Sequence, residues 1–148
     1  MNPRLKEQQA TSAEALLGEV LAFCRQHGPK CGVSNWPDWC SREYLAFHAL
    51  NNSLALVRRN GRVVGMAIGW QCREDELEKH WVVTNPLGDC FYFANLVASE
   101  RNALPELIRI FITRIPAWRG LRLFANRRGK LIPYTVRHLQ RLDAQGRK

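Results

Sequence analysis

Gly88-Asp89-Cys90-Phe91-Tyr92-Phe93-Ala94-Asn95-Leu96-Val97-Ala98, running on into Ser99-Glu100-Arg101-Asn102-Ala103-Leu104-Pro105, is the stretch that decides the fold. Residues 91–98 are largely apolar on both alternating faces, the pattern of a strand in the middle of a sheet. An amphipathic helix is expected next, with Leu104, Leu107, Ile108, Phe111, Ile112 and Ile115 inward. Pro105 fits only in a first helical turn, so the helix should start near Leu104. A strand that hands its C-terminal end to a helix N-terminus leaves outward N–H groups where phosphate- or thioester-bearing ligands are held. Val97, Ser99, Arg101, Asn102 and Ala103 are therefore the candidate donor-binding residues. The junction carries an arginine but no glycine, which elsewhere lets a phosphate approach the backbone closely.

Outward from this stretch, residues 121–125 read as a strand, Asn126-Arg127-Arg128-Gly129 as a turn and residues 130–136 as a last strand. Pro133 makes that last strand an edge. On the N-terminal side, Ser12 is suited to cap a helix over 13–27, striped by Leu16, Leu17, Val20, Leu21 and Cys24 and stopped by Gly28-Pro29. Pro37 holds Trp36 extended, and Asp38 or Ser41 should cap a second helix to about Leu50. Residues 54–57 and 62–68, joined through Asn60-Gly61, predict a β-hairpin, because Asn-Gly accepts the positive φ angles of a tight primed turn. Residues 73–79 read as a solvated acidic excursion, Trp81-Val82-Val83 as a short strand and residues 85–88 as a turn. The expectation is a single α/β domain over 12–142, a mixed central sheet with helices on both faces, between a flexible lead-in (1–11) and a polar tail (143–148).

A chain of 148 residues suits one domain with one sizeable core. No apolar run approaches the roughly 18 residues of a membrane span, and the polar N-terminus has no signal-like apolar segment, so a cytoplasmic location is expected. Charge is lopsided: residues 1–100 hold 10 Lys/Arg against 11 Asp/Glu, whereas 101–148 hold 12 against Glu106 and Asp143. A field of this kind draws in anionic partners. Arg122, Arg127, Arg128 and Lys130 are the candidate partner-binding residues, with nucleic acid, a phosphate-bearing cofactor and an acidic carrier protein all eligible. Trp118, Phe124 and Tyr134 lie among them and would permit base stacking. The five cysteines form no Cys-x-x-Cys pair, which argues against a disulfide framework. Cys24, His27, Cys31 and Cys40 have soft-ligand chemistry, but Cys24 belongs to the apolar stripe of the first helix, so no metal is expected.

The order helix, helix, hairpin, central strand, helix, strand resembles the GNAT acyltransferase superfamily. Within it the chain is most similar to the toxin-activating lysine acyltransferases, through Asn35-Trp36-Pro37, the hairpin that ends on Trp70, and Gly88-Asp89 leading into the central strand. The resemblance implies transfer of an acyl group from an acyl carrier protein or acyl-CoA thioester to an amine of a protein or small molecule. In that branch the catalytic histidine precedes Asn-Trp-Pro by two residues, where this chain has Val33. The central junction of mainstream members opens with Gln or Arg, matched by Arg101. His48, His80, Asp89 and Glu100 remain as candidate bases, with His80 and Asp89 put forward as catalytic. The alternative is a GNAT-shaped module without catalysis that binds nucleic acid or an acidic protein through its basic C-terminal third.

Overall fold

The computed structural model describes residues 3–134. Helix α1 (Pro3–His27) and helix α2 (Asp38–Leu50) precede a hairpin of β1 (Leu54–Arg59) and β2 (Arg62–Cys72). Strand β3 (Cys90–Ala98), helix α3 (Ala103–Arg114), β4 (Arg122–Arg127) and β5 (Lys130–Tyr134) complete the order. The five strands form one mixed sheet in sequence order, antiparallel throughout except for the parallel β3–β4 pair. The chain is thus an α/β domain with β3 at the centre, and Pro133 lies on the edge strand β5, where a missing N–H breaks no ladder.

The two faces of the sheet are covered separately. Val20, Leu21 and Cys24 of α1 and Tyr44 and Leu45 of α2 bury Met66, Ile68, Trp70 and Tyr92. On the other face, Ala103, Leu107, Ile108 and Phe111 of α3 bury Ala67, Phe91, Phe93 and Leu123. The approach of α3 is close: a Cβ on Gly65 would stand 3.1 Å from that of Ala103. Asn60 and Gly61 have φ of 54° and 75°, as the hairpin turn requires.

A bulge interrupts β3. Asn95 pairs with Ile68 and Phe93 with Gly69, so Ala94 is an extra residue in the ladder. Asn95 consequently faces α2, where its Nδ2 donates to the Tyr44 hydroxyl at 2.7 Å, and both groups are buried. Each would otherwise carry the cost of an unpaired polar group in the core.

Three boundaries differ from expectation. Helix α1 begins at Pro3 and not near Ala13, so Ser12 lies inside it; proline suits a first helical position, and Leu5 to Ala10 are good helix formers. Trp81 to Val83 is not a strand. Trp81 is edge-on to Tyr44 and Phe47, Val82 is buried and Val83 is exposed, and it is the following turn that meets β2, with the Asn85 N–H donating to Gln71 O at 2.8 Å. Val33 is fully buried and its carbonyl accepts from the Ser41 hydroxyl at 2.6 Å, which ties the inter-helix loop to α2 in place of a Ser41 cap. The expected extension of β5 to Val136 and the polar tail lie outside the described residues.

Candidate functional site

Strands β3 and β4 begin side by side and then part. The Arg122 N–H donates to Asp89 O (2.9 Å), and pairing runs from Cys90↔Arg122 to Phe93↔Ala125. Beyond that point β3 continues along β2 to Ala98, while Asn126 and Arg127 pair only with β5. The wedge between them is a cleft of about 570 Å³. Its walls are residues 96–101 with Leu104, the tip of the β4–β5 hairpin (126–128), and the segment 27–31 that leaves α1.

Each wall is held in place by local chemistry. Gly28 lets the end of α1 lie against β3, since a Cβ there would stand 2.7 Å from Val97 Cγ2. Asn35 of the Asn-Trp-Pro motif donates through Nδ2 to Pro29 O (2.8 Å) and Cys31 O (3.0 Å), and the Ser34 hydroxyl donates to Gly28 O (2.8 Å). Trp36 packs edge-on against Tyr44. Arg59 reaches from β1 to Glu100 (3.1 Å) and Glu106 (2.9 Å), bracing the β3–α3 junction from the hairpin side. These partly exposed ion pairs contribute little stability, roughly up to 1 kcal/mol each. Their effect is positional.

Backbone groups of β3 face the opening. The Ser99 N–H donates to Val64 O at 3.0 Å, which makes Gly65↔Ala98 a non-hydrogen-bonded pair of the β2–β3 ladder. Ala98 and, two residues earlier, Leu96 therefore aim their peptide groups away from β2, toward the side that β4 has vacated. The thiol of Cys31 lies beside the Leu96 amide. Burial pushes that thiol up, opposed by Arg127 and by the Leu96 N–H.

The cleft is strongly cationic. Lys30, Arg101, Arg127 and Arg128 line it against a single carboxylate, Glu100, which is engaged by Arg59. The start of α3 offers few donors: the Ala103 N–H is taken by Glu100 O (3.1 Å) and Pro105 has none, leaving Leu104 among the first three helical residues. Anion binding at this junction falls to side chains more than to the helix terminus.

The structure sorts the expected site residues. Val97, Ser99 and Arg101 line the cleft, as do Arg127 and Arg128. Asn102 and Ala103 do not line it, and Ala103 is wholly buried against the sheet. Lys130 follows the hairpin turn as the first residue of β5. Arg122 stands at the opposite end of the parallel pair, joined to Asp89 (2.9 Å) and Glu74 (3.3 Å). Its guanidinium holds the Asp89 carboxyl below the usual carboxylate range. Asp89, at the opening of β3, is therefore remote from the cleft. His80 lies in the loop beside α2, with its ring against Trp36 (5.0 Å) and its carbonyl accepting from His48 Nε2 (2.8 Å). His48 is fully buried, stacked on Trp70 at 5.0 Å and 5°, and desolvation drives its pKa down to about 4.

Sequence reading passed over the segment 27–31 as a site. His27 and Cys31 entered it only as metal candidates and Gly28-Pro29 only as a helix stop, because nothing local shows that they stand opposite Leu96 and Arg127. Among the described residues no group of three metal-ligating side chains comes together, and no helix is long and apolar enough to cross a membrane. Neither a protein-family model nor a curated protein matches this chain.

Proposed function

We propose that the chain is a GNAT-like acyltransferase that binds an acyl-CoA or acyl carrier protein thioester in the β3–β4 cleft and passes the acyl group to an amine. One observation carries this reading: the parallel pair stops at Phe93↔Ala125, and the unpaired ends open onto a cationic cleft. Acyl transfer needs a docking place for the donor's phosphates, hydrogen-bond donors for the thioester oxygen, and a base for the attacking ammonium. Lys30, Arg101, Arg127 and Arg128 serve the first need and the Ala98 N–H the second, the Leu96 N–H being directed at the Cys31 thiol. The nucleic-acid or acidic-protein module is the second reading, favoured by His80 and Asp89 both standing outside the cleft.

Paired reversal Arg127→Glu/Arg128→Glu is the test. Binding of octanoyl-CoA, followed by calorimetry, is expected to weaken at least tenfold, and wild-type binding to weaken steeply as salt is raised. Arg122→Gln, at the far end of β4, should leave binding unchanged. Thermal stability of the double variant should stay within about 0.5 kcal/mol of wild type, since these charges are at the surface. No binding of octanoyl-CoA or octanoyl acyl carrier protein, with salt-dependent binding of single-stranded or duplex oligonucleotides in its place, would replace this reading with the second.

A further inference from the structure

A second cavity of about 820 Å³ lies on the other side of the β3–α3 junction, between α1 and the β1–β2 hairpin. It meets the first cleft at three residues common to both, His27, Ser99 and Glu100. The charge of the two differs. The first sets four cations against Glu100, whereas the second balances Glu19 and Glu100 against Arg59 and Arg62. An anionic donor is drawn to the first. A cationic amine, repelled there, meets no net charge in the second.

We propose that this second cavity is the acceptor site, that it takes a primary amine such as a lysine side chain, and that His27 at the meeting point is the general base. The assignment rests on the acyltransferase reading. Of the side chains common to both cavities, the Ser99 hydroxyl donates to the Val64 carbonyl (3.3 Å) and Glu100 is held by Arg59 at 3.1 Å. His27 is the last residue of α1, exposed, its ring resting against Phe23 at 4.9 Å. The charged and titratable groups that line the two cavities with it are Lys30 and Cys31 of its own loop, Glu100 and Arg101 after β3, Arg127 and Arg128 of the hairpin tip, and Glu19, Arg59 and Arg62 of the second cavity.

In the reaction, the imidazole takes one proton from the acceptor ammonium. The freed nitrogen attacks the thioester carbonyl, forming the C–N bond and an oxyanion that faces the Ala98 N–H. Collapse breaks the C–S bond, and the second nitrogen proton leaves with the sulfur as thiol. His27 returns its proton to solvent, so thioester and ammonium become amide, thiol and one proton.

The test uses octanoyl-CoA as donor and a lysine-containing peptide with a blocked N-terminus as acceptor, following thiol release and octanoyl-CoA binding. His27→Gln is expected to lower kcat at least 100-fold while the affinity for octanoyl-CoA changes less than twofold. The acid limb of the wild-type rate profile should vanish in the variant, and added imidazole should restore part of the rate of His27→Ala. An Arg62→Glu variant should alter KM for the peptide and leave donor affinity unchanged. A His27→Gln enzyme that retains wild-type kcat and pH profile overturns the assignment while leaving the acyltransferase reading intact. Wild-type protein that neither binds octanoyl-CoA nor releases its thiol overturns both.

Discussion

Gly88→Ala is expected to lower Tm by about 10 °C or to prevent folding, the largest effect of a Gly→Ala change among the described residues. A Cβ at Gly88 would stand 2.3 Å from both the carbonyl carbon and the oxygen of Cys72. Those are backbone atoms of β2, which a rotamer change does not move. Gly88 is buried, its N–H donates to Asn85 O (3.0 Å), and its carbonyl accepts from Gln71 Nε2 (2.7 Å), so the turn is pinned on both sides. Relief requires pushing the 85–88 turn off the end of the sheet, with loss of these bonds and exposure of Cys72 and Cys90. A cost of about 3 kcal/mol or more follows, and for a domain of this size each kcal/mol moves Tm by about 2–4 °C. Thermal melts followed by circular dichroism would check it, with Gly120→Ala, which meets nothing within 4 Å, as the benign comparison.

The second large effect is acid loss of stability through His48. Its folded-state pKa lies near 4 against an ordinary 6.5, because burial disfavours the imidazolium. Between those values the unfolded chain binds the proton that the folded chain refuses, so stability is full above about pH 6.5 and falls as pH drops through the window. The expected loss from pH 7 to pH 4 is about 2–3 kcal/mol, measured by urea unfolding. Asp38 and Asp89 contribute in the same direction but lower, since arginine partners depress both carboxyls, and their share is lost only as pH falls below the ordinary carboxylate range. His48→Gln retains a donor for the His80 carbonyl and removes the titration. It should be less stable at pH 7, through lost stacking on Trp70, yet nearly flat between pH 6.5 and 4. A wild-type protein equally stable at pH 7 and pH 4.5 would contradict this account.

The parts of the fold legible in the sequence are those fixed by local chemistry. Asn60-Gly61 announces its hairpin because few other residue pairs tolerate two positive φ angles. Residues 91–98 announce a central strand because no solvent-facing strand stays apolar on both sides, and Pro133 marks an edge for want of an N–H. Trp81 to Val83 misleads because apolar content alone does not separate a strand from a loop that plugs an aromatic cluster. The cleft was half legible. Arg101, Arg127 and Arg128 stand out by charge beside a strand end, but the wall made by His27 to Cys31 comes from a segment distant in sequence. His80 and Asp89 have suitable chemistry, yet the loop and the start of β3 carry them elsewhere.

The extra residue at Ala94 has a consequence for the chemistry of the opening. A strand keeps a two-beat count, and here one beat is repeated: odd-numbered Phe91 and Phe93 face α3, whereas beyond the bulge odd-numbered Asn95 and Val97 face the other way. The same repeat sets the phase of the peptide groups. It is why Leu96 and Ala98, and not Asn95 and Val97, present N–H and C=O to the cleft. Which amides confront a bound ligand is thus decided upstream of the cleft, in a turn of phase inside the sheet. A change that slipped this register by one residue would leave every residue of the cleft in the chain and reverse which of them speak to the ligand.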